Sequence, residues 1–223
     1  MHQKIVIVSG GRLGCVDFFR KEAAKPDGSL LIACDGGARH LVAAGIVPHV
    51  LMGDLDSIDS ALLADYLRLN VKIVEHPRDK DFTDTALALD YAMALKPERI
   101  DIWGAQGGRF DHALANVLLL VRGQEAGIRT RLMDEYGEIF LARDNTRFLD
   151  AVGCVVSIIA LSPTVEGVTL AGFQYPLNND TLTMSESRGI SNVIIEPVAS
   201  IDVREGHLLV VRYWQKDIFP EVS

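Results

Sequence analysis

Up to about residue 130, short apolar runs alternate with longer stretches in which apolar residues recur every three or four positions. The short runs predict strands at 4–8, 30–34, 50–52, 71–74, 100–103 and 129–132. Between them, "DHALANVLLLVR" at 111–122 places Leu114, Val117, Leu118 and Val121 on one helical face, and Gly123 and Gly127 supply stop signals. A second helix is expected over 83–95, where Leu87, Tyr91 and Leu95 share a face and Lys96-Pro97 ends the pattern. Strands alternating with helices predict an α/β N-terminal domain with a mostly parallel sheet covered on both faces.

Beyond about residue 135 the pattern changes. "VVSIIAL", "VEGVTLAGF", "DTLTM", "NVIIEP" and "EGHLLVVRYW" are β-branched or alternating runs separated by Gly, Pro, Asn and Asp, with no helical period among them. They predict an all-β C-terminal domain, a sandwich or barrel. The expected division is 1–135 and 136–223.

Composition narrows the function. The 223 residues are 48% hydrophobic and carry a formal net charge of −8, ample for a core and without a dense Lys/Arg tract. Binding to nucleic acid is therefore not expected. Cys15, Cys34 and Cys154 are too widely spaced for a zinc site or a disulfide framework and read as buried thiols in a reducing cytosol. The N-terminal run is too short for a signal peptide and the apolar runs too short for a membrane span, so a soluble, cytoplasmic protein is expected.

The carboxyl ends of parallel strands share one edge, and ligands bind outside it. Four loops lead off that edge: "DGGA" from Asp35, "GDLDS" with Asp54 and Asp56, "EHPRDKDFTD" with Asp79, Lys80, Asp81 and Asp84, and "GAQGGRFDH" with Gly104, Gly107, Gly108 and Arg109. In an extended chain Asp54 and Asp56 would point the same way. Two readings stand for them. Gly-Asp makes a turn, with Ser57 or Asp59 capping the next helix; or the two carboxylates share Mg²⁺, a hard cation held by one or two carboxylates and substrate phosphates. Thr83 reads as an N-cap, but one cap does not call for three acids and a lysine. Arg109 offers a planar fork for phosphate oxygens, and Asp111 alternatively caps a helix. Neither "SGGRLG" nor the 104–108 loop has Walker A or dinucleotide-binding spacing. His40 and His112 read as local hydrogen-bonding groups, and Trp103 and Trp214 as core. No nucleophilic Ser or Cys triad is visible. The composite is Mg²⁺-dependent chemistry on a phosphorylated small molecule.

"CDGGARHL", "GDLDSI", "DKDFTDTALAL" and "GAQGGRFDHALANV", in that order, with "SRGISN" at 187–192, resemble the thiamin pyrophosphokinase family over most of the chain. The resemblance implies transfer of a diphosphoryl group from ATP to the hydroxyethyl oxygen of thiamin. It also implies a C-terminal β-sandwich and a homodimer whose site lies between the N-domain of one subunit and the C-domain of the other. Carried over, Asp54 and Asp56 bind Mg²⁺ with Asp81 and Asp84 completing the acidic site, and Lys80 and Arg109 neutralise polyphosphate oxygens. Asp35, Gly36, Thr83, Gly107, Gly108 and Asp111 line the ATP side, and Ser191 and Asn192 meet the thiamin pyrimidine. An Asp of the 81–84 loop orients or deprotonates the thiamin hydroxyl. Val193 stands where many members have Glu, and "SGGRLGC" is less polar than the family's first loop. These departures keep two alternatives open: another alcohol or nucleotide as acceptor, or a non-catalytic sensor.

Overall fold

The structure is a computed structural model describing residues 3–23, 28–56, 58–79 and 81–214. Contacts divide the chain into two units, Met1–Glu135 and Tyr136–Ser223.

The first unit alternates β1 (Lys4–Val8), α1 (Val16–Ala23), β2 (Leu30–Cys34), α2 (Gly37–Ala44), β3 (Val50–Gly53), α3 (Ser60–Arg68), β4 (Lys72–Glu75), α4 (Asp84–Ala94), β5 (Arg99–Trp103), α5 (Phe110–Glu125) and β6 (Arg129–Met133). The strands pair in parallel in the order β6-β5-β1-β2-β3-β4. The central strands are mostly apolar because both faces are covered: Ile5, Val6, Ile7, Val8, Ile100 and Ile102 are fully buried. One carboxylate breaks that rule. Asp101, 2% exposed, is held by Arg131 at 2.6 and 3.2 Å, Arg99 at 3.3 Å and Lys4 at 3.9 Å.

The chain leaves β1 towards β2 on one side and returns to β5 on the other. The boundary between β1 and β5 is therefore the switch point of the strand order, the place where open α/β sheets bind ligands.

Two helix boundaries differ from the sequence pattern. α5 runs through Gly123, which the pattern makes a stop. A Cβ there would lie 2.1 Å from Thr130 Oγ1, so this glycine lets α5 pack against β6, and Gly127 at φ 74° ends the segment. At the other end Asp111 is not the cap; Arg109 holds the N-cap position without a side-chain cap bond. Asp59 caps α3 by accepting from Ala61 N at 2.7 Å, and Thr83 caps α4 by accepting from Ala86 N at 3.2 Å. Ser57, the other cap candidate, lies outside the described residues.

The second unit contains β7 (Gly137–Leu141), β8 (Thr146–Leu149), β9 (Val155–Ala160), β10 (Thr164–Ala171), β11 (Leu177–Thr183), β12 (Asn192–Val193), β13 (Val198–Asp202) and β14 (Leu208–Tyr213). Antiparallel pairing gives two groups, β12-β9-β14-β7 and β11-β10-β13-β8. Val156, Ile158 and Val210 of the first share one core with Phe148, Val165, Leu170 and Ile201 of the second. That is a β-sandwich.

Candidate active site

Within the first unit, the loop after β1 lies against the loop after β5. Ser9 N donates to Trp103 O at 2.8 Å, Gly11 N to Gly104 O at 2.8 Å and Arg12 N to Gln106 O at 2.7 Å. The approach is close enough to exclude side chains: a Cβ on Gly11 would lie 2.4 Å from Gly104 O, and one on Gly107 2.6 Å from Arg12 Cβ. Arg12 then reaches Glu135 at 2.7 Å and Asp134 at 3.5 Å beyond β6, and His40 Nε2 donates to Gly11 O at 2.6 Å. Sequence reading passed over Arg12, Asp134 and Glu135. The available signal was a cluster of glycines directly after a strand, whose partners lie about 90 residues or more along the chain.

The carboxyl ends of β2 and β3 are pressed together in the same way. Asp35 N donates to Met52 O at 2.7 Å, and a Cβ on Gly53 would sit 2.8 Å from Asp35 Cβ. Gly36 lies against Gly10, with 3.2 Å from its ideal Cβ to Gly10 Cα, so the first two loops also touch.

Asp54 and Asp56 do not stand side by side on an extended chain. β3 stops at Gly53, and Leu55 adopts φ 61°, a left-handed backbone that costs a branched-chain residue roughly 1 kcal/mol or more. The turn lets Asp56 N donate to Asp54 Oδ1 at 3.2 Å and brings the Asp56 carboxylate to Arg78 at 3.1 Å. Repulsion between the two acids is thus relieved by turn geometry and by a cation from the loop after β4.

In that loop Asp81 is exposed and Asp84, half-buried, opens α4 in the first turn, where a negative charge meets the helix dipole. A buried bond of 2.8 Å between Ser9 and Thr85 hydroxyls ties the start of α4 to the end of β1. Among the described residues, no three His, Cys, Asp or Glu side chains gather into a metal-holding group. Lys80 lies outside the described residues.

Gly107 and Gly108 are left-handed at φ 81° and 76°, which sets Arg109 outward at the tip of the loop. Its guanidinium forms a two-pronged pair with Asp111, Nε to Oδ1 at 3.1 Å and Nη2 to Oδ2 at 2.5 Å. The hydrogen bond from Arg109 holds the Asp111 carboxyl at about 2, well below the usual range, and Asp111 pushes Arg109 further up.

In the second unit, Ser191 is exposed at φ 57° with its N–H donating to Ser157 Oγ at 2.9 Å. Asn192 is buried, and its amide is largely engaged. Oδ1 accepts from Tyr175 N at 3.0 Å and Val193 N at 2.9 Å, while Nδ2 donates to Tyr175 O at 2.7 Å. Its clearest effect is to clamp the backbone of Tyr175, whose ring is left 64% exposed. Tyr175 is absent from the sequence-based candidates because its run reads as ordinary strand and turn.

Aspartates and an arginine fork on glycine-bounded loops, at the carboxyl edge of a parallel sheet in a chain that continues into a β-sandwich, define a two-unit enzyme class that works on small-molecule phosphates. Residues 24–132 match the family "Thiamin pyrophosphokinase, catalytic domain", and residues 145–208 match "Thiamin pyrophosphokinase, vitamin B1 binding domain". A thiamine pyrophosphokinase from Bacillus subtilis (strain 168) is 34% identical over 193 residues, covering 82% of this chain and 87% of the relative. The crystal structure of thiamine pyrophosphokinase from Bacillus subtilis superposes with a TM-score of 0.82 at 31% identity, covering 94% of this chain and 98% of that one. The thiamin pyrophosphokinase of Geobacillus thermodenitrificans also gives 0.82, at 29% identity and 97% and 100% coverage. The chain belongs to the thiamin pyrophosphokinase family.

Proposed function

We propose that this protein transfers the diphosphoryl group of ATP to the hydroxyethyl oxygen of thiamin, giving thiamin diphosphate and AMP. The observation that carries this reading is the pair of family matches, one in each unit and in catalytic-then-thiamin order. The geometry of the first unit agrees, since phosphoryl-type transfer asks a protein mainly for positioning and charge neutralisation.

Mg²⁺ suits the loop after β3. Two hard oxygen donors, Asp54 and Asp56, are displayed there by a constrained turn, and that number is sufficient for an ion whose other ligands are water and substrate phosphates. Asp54 and Asp56 would hold the ion, with Asp81 and Asp84 completing the acidic set, and it would supply charge neutralisation for the polyphosphate. The chain's own groups do the rest. Arg109 exchanges Asp111 for polyphosphate oxygens and stabilises charge in the transition state. Lys80 adds a second cation, and the backbones at Asp35, Gly36, Thr83, Gly107 and Gly108 line the ATP side. A carboxylate of the 81–84 loop accepts the hydroxyl proton as the thiamin oxygen attacks the β-phosphorus and the bond to the α-phosphate oxygen breaks, releasing AMP.

For thiamin, Ser191 supplies an exposed hydroxyl, Asn192 fixes the neighbouring backbone, and the exposed Tyr175 ring offers a face for a planar heterocycle. The reading also makes the protein a homodimer with each site drawing on both subunits. An exposed apolar stripe along α5, Phe110, Leu114 and Leu118, supports an interface there. Three cysteines present as free thiols support the cytoplasm as its compartment, although only Cys34 is buried as the sequence suggested, Cys154 being half-buried and Cys15 exposed. No described helix is long and apolar enough to cross a membrane.

The test is chromatography of nucleotides after incubation with Mg·ATP, with and without thiamin. Thiamin-dependent AMP matched mole for mole by thiamin diphosphate is the expected result. ADP in place of AMP would mean single phosphoryl transfer. No thiamin-dependent product from folded protein would favour another acceptor, the alternative that Val193 suggests, or a sensor.

A further inference from the structure

β9 reads Val-Val-Ser-Ile-Ile-Ala; Val156, Ile158 and Ala160 enter the sandwich core, while Ser157 takes the alternate face and is still only 8% exposed. A buried hydroxyl requires a partner. That partner is the backbone N–H of Ser191 in the turn leading to β12, donating to Ser157 Oγ at 2.9 Å.

The turn is anchored on both sides of Ser191. Before it, Ile158 N donates to Gly189 O at 2.9 Å, and Gly189, at φ 97°, lies so close to β9 that a Cβ would meet Ile158 Cγ1 at 2.4 Å. After it, Asn192 pairs with Val156 in the β12–β9 ladder. Between these anchors the backbone enters the left-handed region at Ser191, a conformation that a non-glycine residue keeps only where its surroundings hold it. The Ser157 hydroxyl supplies that hold from beneath the turn. Without it the Ser191 peptide is free to rotate towards an ordinary conformation, and the exposed Ser191 side chain changes direction.

We infer that Ser157 is a positioning residue for the thiamin half of the site, its Oγ fixing the Ser191 backbone so that the Ser191 hydroxyl projects from the turn towards substrate. The role rests on the reading of Ser191 as a thiamin contact. It differs from a stabilising role because it predicts an effect on one substrate only.

The experiment is a double-mutant cycle of Ser157→Ala and Ser191→Ala in the full-length protein, with steady-state kinetics for both substrates and calorimetric binding of thiamin. Ser157→Ala is expected to raise the KM for thiamin about fivefold, the equivalent of one hydrogen bond's net contribution, with the KM for ATP within twofold of wild type. In the Ser191→Ala background the same change adds nothing, because the hydroxyl it positions is gone. If Ser157→Ala does not fold, Ser157→Cys keeps the volume with a weak acceptor and gives the same readout. Two results overturn the inference: KM values for thiamin and ATP that stay unchanged or move together, or effects of the two substitutions that simply multiply. A wild-type protein without thiamin-dependent turnover removes the functional reading and this role with it, whereas active wild type with an unmoved Ser157→Ala removes the role alone.

Discussion

Gly107 and Gly108 are neighbours with nearly the same left-handed backbone, yet a methyl group at each is predicted to damage different things. Alanine at either position keeps a conformation that costs an L-residue about 1 kcal/mol. At 108 nothing lies within 4 Å of the added carbon, so that penalty stands alone. At 107 the carbon would fall 2.6 Å from Arg12 Cβ, about 0.8 Å inside ordinary contact at 3.4 Å. Arg12 cannot yield freely, since its N–H is bonded to Gln106 O at 2.7 Å and its guanidinium to Glu135 at 2.7 Å. Overpacking of a held position costs about 1–3 kcal/mol more. Gly107→Ala is therefore expected to lose about 2–4 kcal/mol and Gly108→Ala about 1 kcal/mol. By scanning calorimetry, at about 2–4 °C per kcal/mol for a chain of this size, that is roughly 4–16 °C against 2–4 °C in Tm. Kinetics should separate them in the other sense. The open space at Gly108 is where polyphosphate is proposed to approach, so Gly108→Ala raises the KM for ATP about tenfold while the fold is largely kept. Equal Tm losses would refute the packing role of Gly107. Wild-type KM for ATP in Gly108→Ala would refute the ligand-facing role of Gly108.

Asp54→Asn is expected to lower kcat by about 100-fold or more, with an unchanged circular dichroism spectrum; wild-type turnover would sink the metal assignment. Asp111 should titrate near 2 by carbon NMR and return towards 3.8 in Arg109→Ala. Its folded-state value lies below the unfolded one, so the pair contributes at neutral pH and is lost as pH falls through about 2; a wild-type midpoint near 4 would contradict the pairing. Asp101→Asn leaves Lys4 and Arg131 without their buried counter-charge and is expected to cost about 3–5 kcal/mol by urea denaturation. A loss below about 1 kcal/mol would show that the cations find other partners.

What the sequence disclosed follows the range of the interactions involved. β1 and β5 were legible because strands covered on both faces are rich in apolar residues, Ile5 to Val8 in one and Ile100, Ile102 and Trp103 in the other. The caps Asp59 and Thr83 were legible because each bonds a backbone N–H two or three residues away. Gly123 was misread as a helix stop because its reason is Thr130, on the following strand. The expectation that Asp54 and Asp56 share a side assumed an extended chain, and Leu55 in a left-handed conformation removed that premise. The clasp from Arg12 to Gln106 and Glu135 joins segments that no local pattern connects. "SRGISN" was visible as a motif, but the engagement of Asn192 with Tyr175 depends on a turn 17 residues earlier in the chain.

The place of β1 in the sheet also governs how the chain can be made. Of the unit's described strands, the first to be synthesised is an interior one: one of its edges pairs with β2, beginning at Ile5 with Leu30, and the other with β5, beginning at Lys4 with Arg99. At about 5–20 residues per second, the second edge stays open for roughly 5–20 s after β1 emerges. During that interval β1 to β4 form a half-sheet whose exposed edge is a strand buried at all five positions in the finished fold, a template for any extended chain nearby. Productive folding of the first unit therefore waits on synthesis of the loop that carries Arg109 and the strands on either side of it, and slowing translation between residues 75 and 99 should increase aggregation more than slowing it after residue 135.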